Sequence, residues 1–213
     1  MLEVRIHGRG GQGNVVAAYL LAHAGIAGGL HAQAFPFFGA ERRGAPVAAY
    51  IRLAARPIRL HAAVRSPHFV IVQEEKLLGL EETTAGLVAG GGLLVNSPAD
   101  QATLLARLSA RTEGRNWQIL GVAASEISMQ HLGRNLPNTA LLAAWVILTG
   151  VLEPAALEQA VTARLKPGMV QANLEVIRAV GSLVAQGAWH EMAHHALTQG
   201  AAPQQETGHA GAA

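Results

Sequence analysis

Six residues, Gly8-Arg9-Gly10-Gly11-Gln12-Gly13, restrict the possible folds of this chain more than any others. They follow a short alternating run, Leu2–His7, which reads as a strand. They open a stretch, Asn14–Ala27, with apolar residues at helical spacing and a Gly28-Gly29 stop. Glycine tolerates the tight backbone needed to pass straight from a strand into a helix. With a second strand expected at Leu30–Phe35, the opening is β–loop–α–β, the first unit of a parallel sheet.

The remaining pattern continues in kind. Val47–Leu53 and Ile58–Leu60 flank Arg56-Pro57 and predict a hairpin, placed at a sheet edge by the proline. His68–Gln73 is a continuous apolar run, as in a buried central strand. Lys76–Ala89 reads as broken helix, Leu93–Asn96 as a strand, Gln101–Leu108 as a helix and Gln118–Val122 as the last strand. Helices are expected at Asn138–Gly150, Pro154–Leu165 and Val170–Gln186. The fold class is therefore α/β, with a mostly parallel sheet and an edge hairpin. One domain is expected over residues 1–189, followed at 190–213 by a helix end and a Gly/Ala/Gln/His-rich tail without order.

Composition narrows the chemistry. Half of the 213 residues are apolar and aromatics are scarce, so the core must pack through Ala, Val, Leu and Ile. There is no cysteine, which excludes disulfides, thiolate zinc, thiol nucleophiles and ordinary Fe–S ligation on this chain. A formal charge of +2 with scattered arginines does not make a nucleic-acid surface. No apolar run reaches the ~18 residues of a membrane span, and the start is not a signal peptide. The expected compartment is the cytoplasm.

Three constellations carry candidate function. The glycine loop fits G-x-G-x-x-G and offers helix N-terminal N–H groups to an anion. A standard dinucleotide site also needs an acid ending the second strand, and His31–Phe35 has none. The Gly-Lys-Ser/Thr ending of a phosphate-binding Walker loop is missing too. A tight turn with no ligand remains an equal reading of the loop by itself. The second constellation runs from Phe35 to Pro46 and holds Glu41, Arg42 and Arg43 among Phe, Gly and Pro. Adjacent arginines can clamp a phosphate or carboxylate, with Glu41 orienting one of them; a surface charge cluster is the alternative. The third, Asn135-Leu136-Pro137-Asn138-Thr139-Ala140, is a helix N-cap signature; a plain cap is one reading, and the functional one has this helix start face the glycine loop across the strand ends.

Together, GRGGQG at 8–13, FGAERRGAPV at 38–47 and LPNTALLAA at 136–144, with HFVIVQ at 68–73 and LLVNS at 93–97, resemble the gamma subunit of the pyruvate/2-ketoisovalerate ferredoxin oxidoreductase family. The resemblance covers roughly residues 2–185, the stretch holding the strands and helices read above. It implies a Rossmann-like three-layer α/β/α domain. It implies a partnership with alpha-, beta- and delta-type subunits that decarboxylate a 2-oxoacid on thiamine diphosphate with magnesium. Those partners pass electrons through Fe–S clusters to ferredoxin or another acceptor, and the acyl group goes to coenzyme A. Carried over, Gly10, Gly11, Gln12 and Gly13 line the coenzyme A side and active-site entrance. Glu41, Arg42 and Arg43 hold that loop, a ligand anion or a neighbouring subunit, and Asn138 and Thr139 complete the face. No catalytic residue and no metal are expected on this chain, and alone it should be inactive.

Two departures stand out. Asn14-Val15-Val16-Ala17-Ala18 lacks the hydroxyl of the usual helix start, and Phe37-Phe38 replaces a small residue before glycine. The second implies an aromatic 2-oxoacid. A stand-alone dinucleotide-binding oxidoreductase and a ligand-free α/β scaffold are the competing classes. His190-Glu191-Met192-Ala193-His194 matches the zinc-protease pattern H-E-x-x-H but has no evident third ligand or cleft, so adventitious metal affinity outweighs catalysis.

Overall fold

A computed structural model describes residues 1–37, 46–60 and 62–198. Six strands form one sheet: β1 (Leu2–Arg9), β2 (His31–Phe37), β3 (Pro46–Ala54), β4 (Phe69–Val72), β5 (Gly92–Asn96) and β6 (Gln118–Val122). Their order is β2-β3-β1-β4-β5-β6. β1, β4, β5 and β6 are parallel, and β3 runs against both of its neighbours.

Alternation along β4 sends Phe69 and Ile71 to one face and Val70 and Val72 to the other. The first face is covered by α1 (Asn14–Ala27), α4 (Ala124–Leu132), α5 (Asn138–Thr149), α6 (Pro154–Arg164), α7 (Pro167–Gly181) and α8 (His190–Thr198). The second is covered by a 3-10 turn, Glu75–Gly79, and by α3 (Gln101–Leu108), with the short α2 (Glu81–Thr84) beside them. The result is the three-layer α/β/α arrangement expected. Every residue of α5 is buried, as a helix apolar on all sides must be. Small residues bring α1 close to the sheet: a Cβ on Gly25 would stand 2.5 Å from Leu53 Cδ2. Among the described residues no helix is long and apolar enough to cross a membrane.

Two expectations need correction. β2 is not the parallel neighbour of β1, because β3 lies between them. The edge hairpin is β2–β3, and residues 58–60 form no strand. The reason is Arg52, a fully buried guanidinium on β3. Its Nε donates to Glu3 Oε1 (2.8 Å) and its Nη1 to Gln33 Oε1 (3.1 Å), the residues that face it on β1 and β2. The same side chain donates to the carbonyls of Leu60 and Ala62. Those carbonyls are bound by a side chain, so the segment folds over Arg52 without joining the ladder. Pro36 removes a donor from the edge strand β2, a known protection against strand addition.

Two buried histidines tie stability to pH. His7 is held down to about 3 by burial and then by the Arg5 charge. His68 is held down to about 4 by burial, the Met1 ammonium and His195, and its Nδ1 accepts the Glu3 N–H. Both are neutral in the fold and protonate more readily when unfolded, near the ordinary value of about 6.5. Their stabilisation is therefore complete above that value and is lost as pH falls toward 4 and 3. We expect each to cost on the order of 1 kcal/mol per pH unit over that range. Urea midpoints measured from pH 7 to pH 4.5 check this: His68→Gln should flatten the decline, and an equal decline in the variant would contradict it.

Candidate functional site

The glycine loop leaves the C-terminal end of β1, where the connections divide. The chain after β1 crosses toward β2, and the chain after β4 crosses toward β5 and β6. Such a switch point opens a crevice between the two strand ends, the usual ligand position in an open α/β sheet.

Gly11 and Gly13 have φ of +94° and +79°, a region costly to residues with a Cβ. Gly13 caps the N-terminus of α1 without any side-chain help, and the first turn of α1 holds no acid. The N–H groups of Gly10, Gly11 and Gly13 find no acceptor among the described residues. Gly10 and Gly11 are exposed at the tip. The positive end of α1 is therefore open to an anion.

Asn138 faces this loop as expected: a Cβ on Gly13 would lie 2.7 Å from Asn138 Nδ2. Thr139 does not. It is buried and donates to Asn173 Oδ1 (2.7 Å) on α7, so its hydroxyl serves helix packing. Gln12 is turned inward. Its Oε1 accepts the Arg9 N–H (2.7 Å) and its Nε2 donates to Glu74 Oε2 (3.1 Å), which joins the two loops across the switch point. Glu41, Arg42 and Arg43 lie outside the described residues. The strand ends on either side of them are fixed, since Pro46 pairs with Arg9 beside the glycine loop.

The structure adds residues that the motifs did not single out. Asn14 bridges to β3 through Nδ2 and the Val47 carbonyl, while its Oδ1 has no partner. Gln73 is 1% exposed with neither amide atom paired. Asn96 donates to the Gln73 carbonyl and to Ser125 Oγ, and accepts the Ser125 N–H. Ser125 in turn donates to Asn135 Oδ1. Gln73 and Asn96 were detectable in sequence as polar residues closing the apolar runs of β4 and β5. On α8, the His190 and His194 rings stack at 5.7 Å on an exposed face, and no cluster of three metal-binding side chains occurs among the described residues.

Comparison with known proteins decides the lineage. The profile of the pyruvate ferredoxin/flavodoxin oxidoreductase family matches residues 3–182. The chain belongs to this family. The common gamma subunit of the pyruvate/ketoisovalerate oxidoreductases of Thermococcus litoralis is 40% identical over 161 residues, spanning 76% of this chain and 85% of that subunit. The crystal structure of the pyruvate oxidoreductase subunit PORC from Thermotoga maritima superposes with a TM-score of 0.73 at 35% identity, over 85% of this chain and 95% of that one. A 2-oxoglutarate:ferredoxin oxidoreductase from Magnetococcus marinus, solved with 2-oxoglutarate, coenzyme A and succinyl-CoA, shares the fold at 16% identity. Its TM-score is 0.66, over 87% of this chain and 32% of that larger one. Within the pyruvate ferredoxin/flavodoxin oxidoreductase family this is a gamma-type chain, a subunit of a multi-subunit 2-oxoacid oxidoreductase.

Proposed function

We propose that this gamma chain shapes the coenzyme A side of an active site completed by its partners. The complex oxidatively decarboxylates a 2-oxoacid to an acyl-CoA. Thiamine diphosphate, magnesium and Fe–S clusters belong to alpha-, beta- and delta-type subunits, which pass electrons to ferredoxin or another acceptor. A chain with no cysteine supplies no ordinary cluster ligand, which fits that division.

One observation carries the reading. The glycine loop sits at the switch point with N–H groups that meet no acceptor among the described residues and with Asn138 against it, an anion cradle built from backbone. Gly10, Gly11 and Gly13 hold the ligand's phosphate there. Gln12, seen turned inward, keeps the loop in shape, and Asn138 braces it. Glu41, Arg42 and Arg43 reach the same ligand or a neighbouring subunit from the connection between Phe37 and Pro46. Thr139 supports that face through α7. Coenzyme A in the distant Magnetococcus enzyme is consistent with this ligand class. A stand-alone dinucleotide enzyme is disfavoured, because β3 separates the end of β2 from the loop that would hold the dinucleotide.

The reconstituted complex tests the proposal. Arg42→Ala and Arg43→Ala should each raise the KM for coenzyme A about tenfold, the worth of one charge-assisted contact, or weaken assembly. Unchanged kinetics and assembly would remove that loop. The Phe37-Phe38 pair supports an aromatic 2-oxoacid as substrate, so the same assay should favour phenylglyoxylate over pyruvate. Equal turnover would contradict that choice.

A further inference from the structure

The open end of α1 attracts negative charge, and a carboxylate from another loop is hydrogen-bonded to the glycine loop. α1 is a 14-residue helix with no side-chain cap and no acid in its first turn. Glu74, just past β4, reaches across the switch point and accepts from Gln12 Nε2, and Gln12 holds the Arg9 N–H. The next residue, Glu75, is paired with Arg107. Glu74 meets no cation among the described residues. Among the described residues its charge is therefore uncompensated, and it stands one hydrogen bond from the loop. Beneath the same loop, Asn14 Oδ1 and both amide atoms of Gln73 are buried without partners. Asn14 Oδ1 occupies the space that a Cβ on Gly8 would take. Unpaired polar atoms thus lie under a loop that is tied to a carboxylate through Gln12.

We infer that Glu74 is the charge gate of the glycine loop: its carboxylate, attached through Gln12, stands in for an anion and sets how tightly a phosphorylated ligand is held. The inference rests on the loop being the coenzyme A side of the active site. An incoming pyrophosphate meets the attraction of the free N–H groups and the repulsion of Glu74 at close range, where a unit charge is only partly screened. Neutralising Glu74 leaves the attraction and removes the repulsion. Glutamine at this position still offers an oxygen to Gln12, so the loop keeps its shape.

The assembled complex tests the gate. With Glu74→Gln, the KM for coenzyme A and the inhibition constant for inorganic pyrophosphate should both fall about tenfold at low salt, and the gain should shrink as salt rises. Glu75→Gln, which neutralises a carboxylate already paired with Arg107, should change neither. An equal gain from Glu75→Gln, or unchanged constants with Glu74→Gln, would overturn the gate. A Gly13→Val complex separates the two ideas. If it raises the coenzyme A KM while Glu74→Gln does nothing, the loop is the ligand site and the gate is wrong. If neither variant alters coenzyme A or pyrophosphate handling, the loop is not the ligand site and both fail.

Discussion

Arg52→Met should destabilise this protein by ~3–5 kcal/mol, the usual cost of removing one partner from a buried ion pair. Arg52 is wholly buried, and its guanidinium joins Glu3, Gln33 and the carbonyls of Leu60 and Ala62. It also lies 5.3 Å from the centroid of the Phe35 ring. Methionine fills the volume but leaves a buried carboxylate and two carbonyls without donors. Pairing the change with Glu3→Leu removes the stranded charge, so the double variant should recover part of the loss. Urea denaturation followed by circular dichroism measures both. A single-variant loss below about 1 kcal/mol would mean that water reaches Glu3 and that the cluster is not the staple described.

Gly13→Val should be the most damaging change in the candidate site. Gly13 holds φ at +79°, where a β-branched residue is a true outlier. Its Cβ would also stand 2.7 Å from Asn138 Nδ2. Strain of this kind costs on the order of 1–3 kcal/mol, and displacing Asn138 adds to it. Because the clash lies between α1 and α5, both sides of the cradle should shift, and coenzyme A saturation of the complex should be lost. Gly11→Ala is the control. It shares the positive φ, at +94°, but has open space around it. It should cost stability modestly and leave Asn138 in place. Equal damage from both variants would show that backbone conformation alone, and not the contact with Asn138, matters at this loop.

The local patterns carried much of this fold. The strand–loop–helix opening, α3 and β6 sit where periodicity and caps placed them, because each is decided by its own residues. The insertion of β3 was not legible, since strand order is a long-range choice. Arg52 sits within the strand pattern Val47–Leu53, and only its alignment with Glu3 and Gln33 shows why it is buried. α4 was missed for a similar reason: the N–H of Ser125 near its start is satisfied by Asn96 on β5 rather than by a neighbour. In the site, the approach of Asn138 to the glycine loop followed from two helix starts at the same sheet end. The inward turn of Gln12 did not, because it depends on Glu74, 62 residues away. Thr139 shared the motif of Asn138 but points to α7, as one step along a helix rotates a side chain by about 100°.

The most direct test is to purify the native assembly and measure thiamine diphosphate, iron and coenzyme A binding subunit by subunit. This chain should co-purify with larger partners that hold the thiamine and all the iron. Omitting it should abolish coenzyme A-dependent oxidation of a 2-oxoacid. A chain that purifies alone and oxidises a substrate with a nicotinamide cofactor would contradict that account.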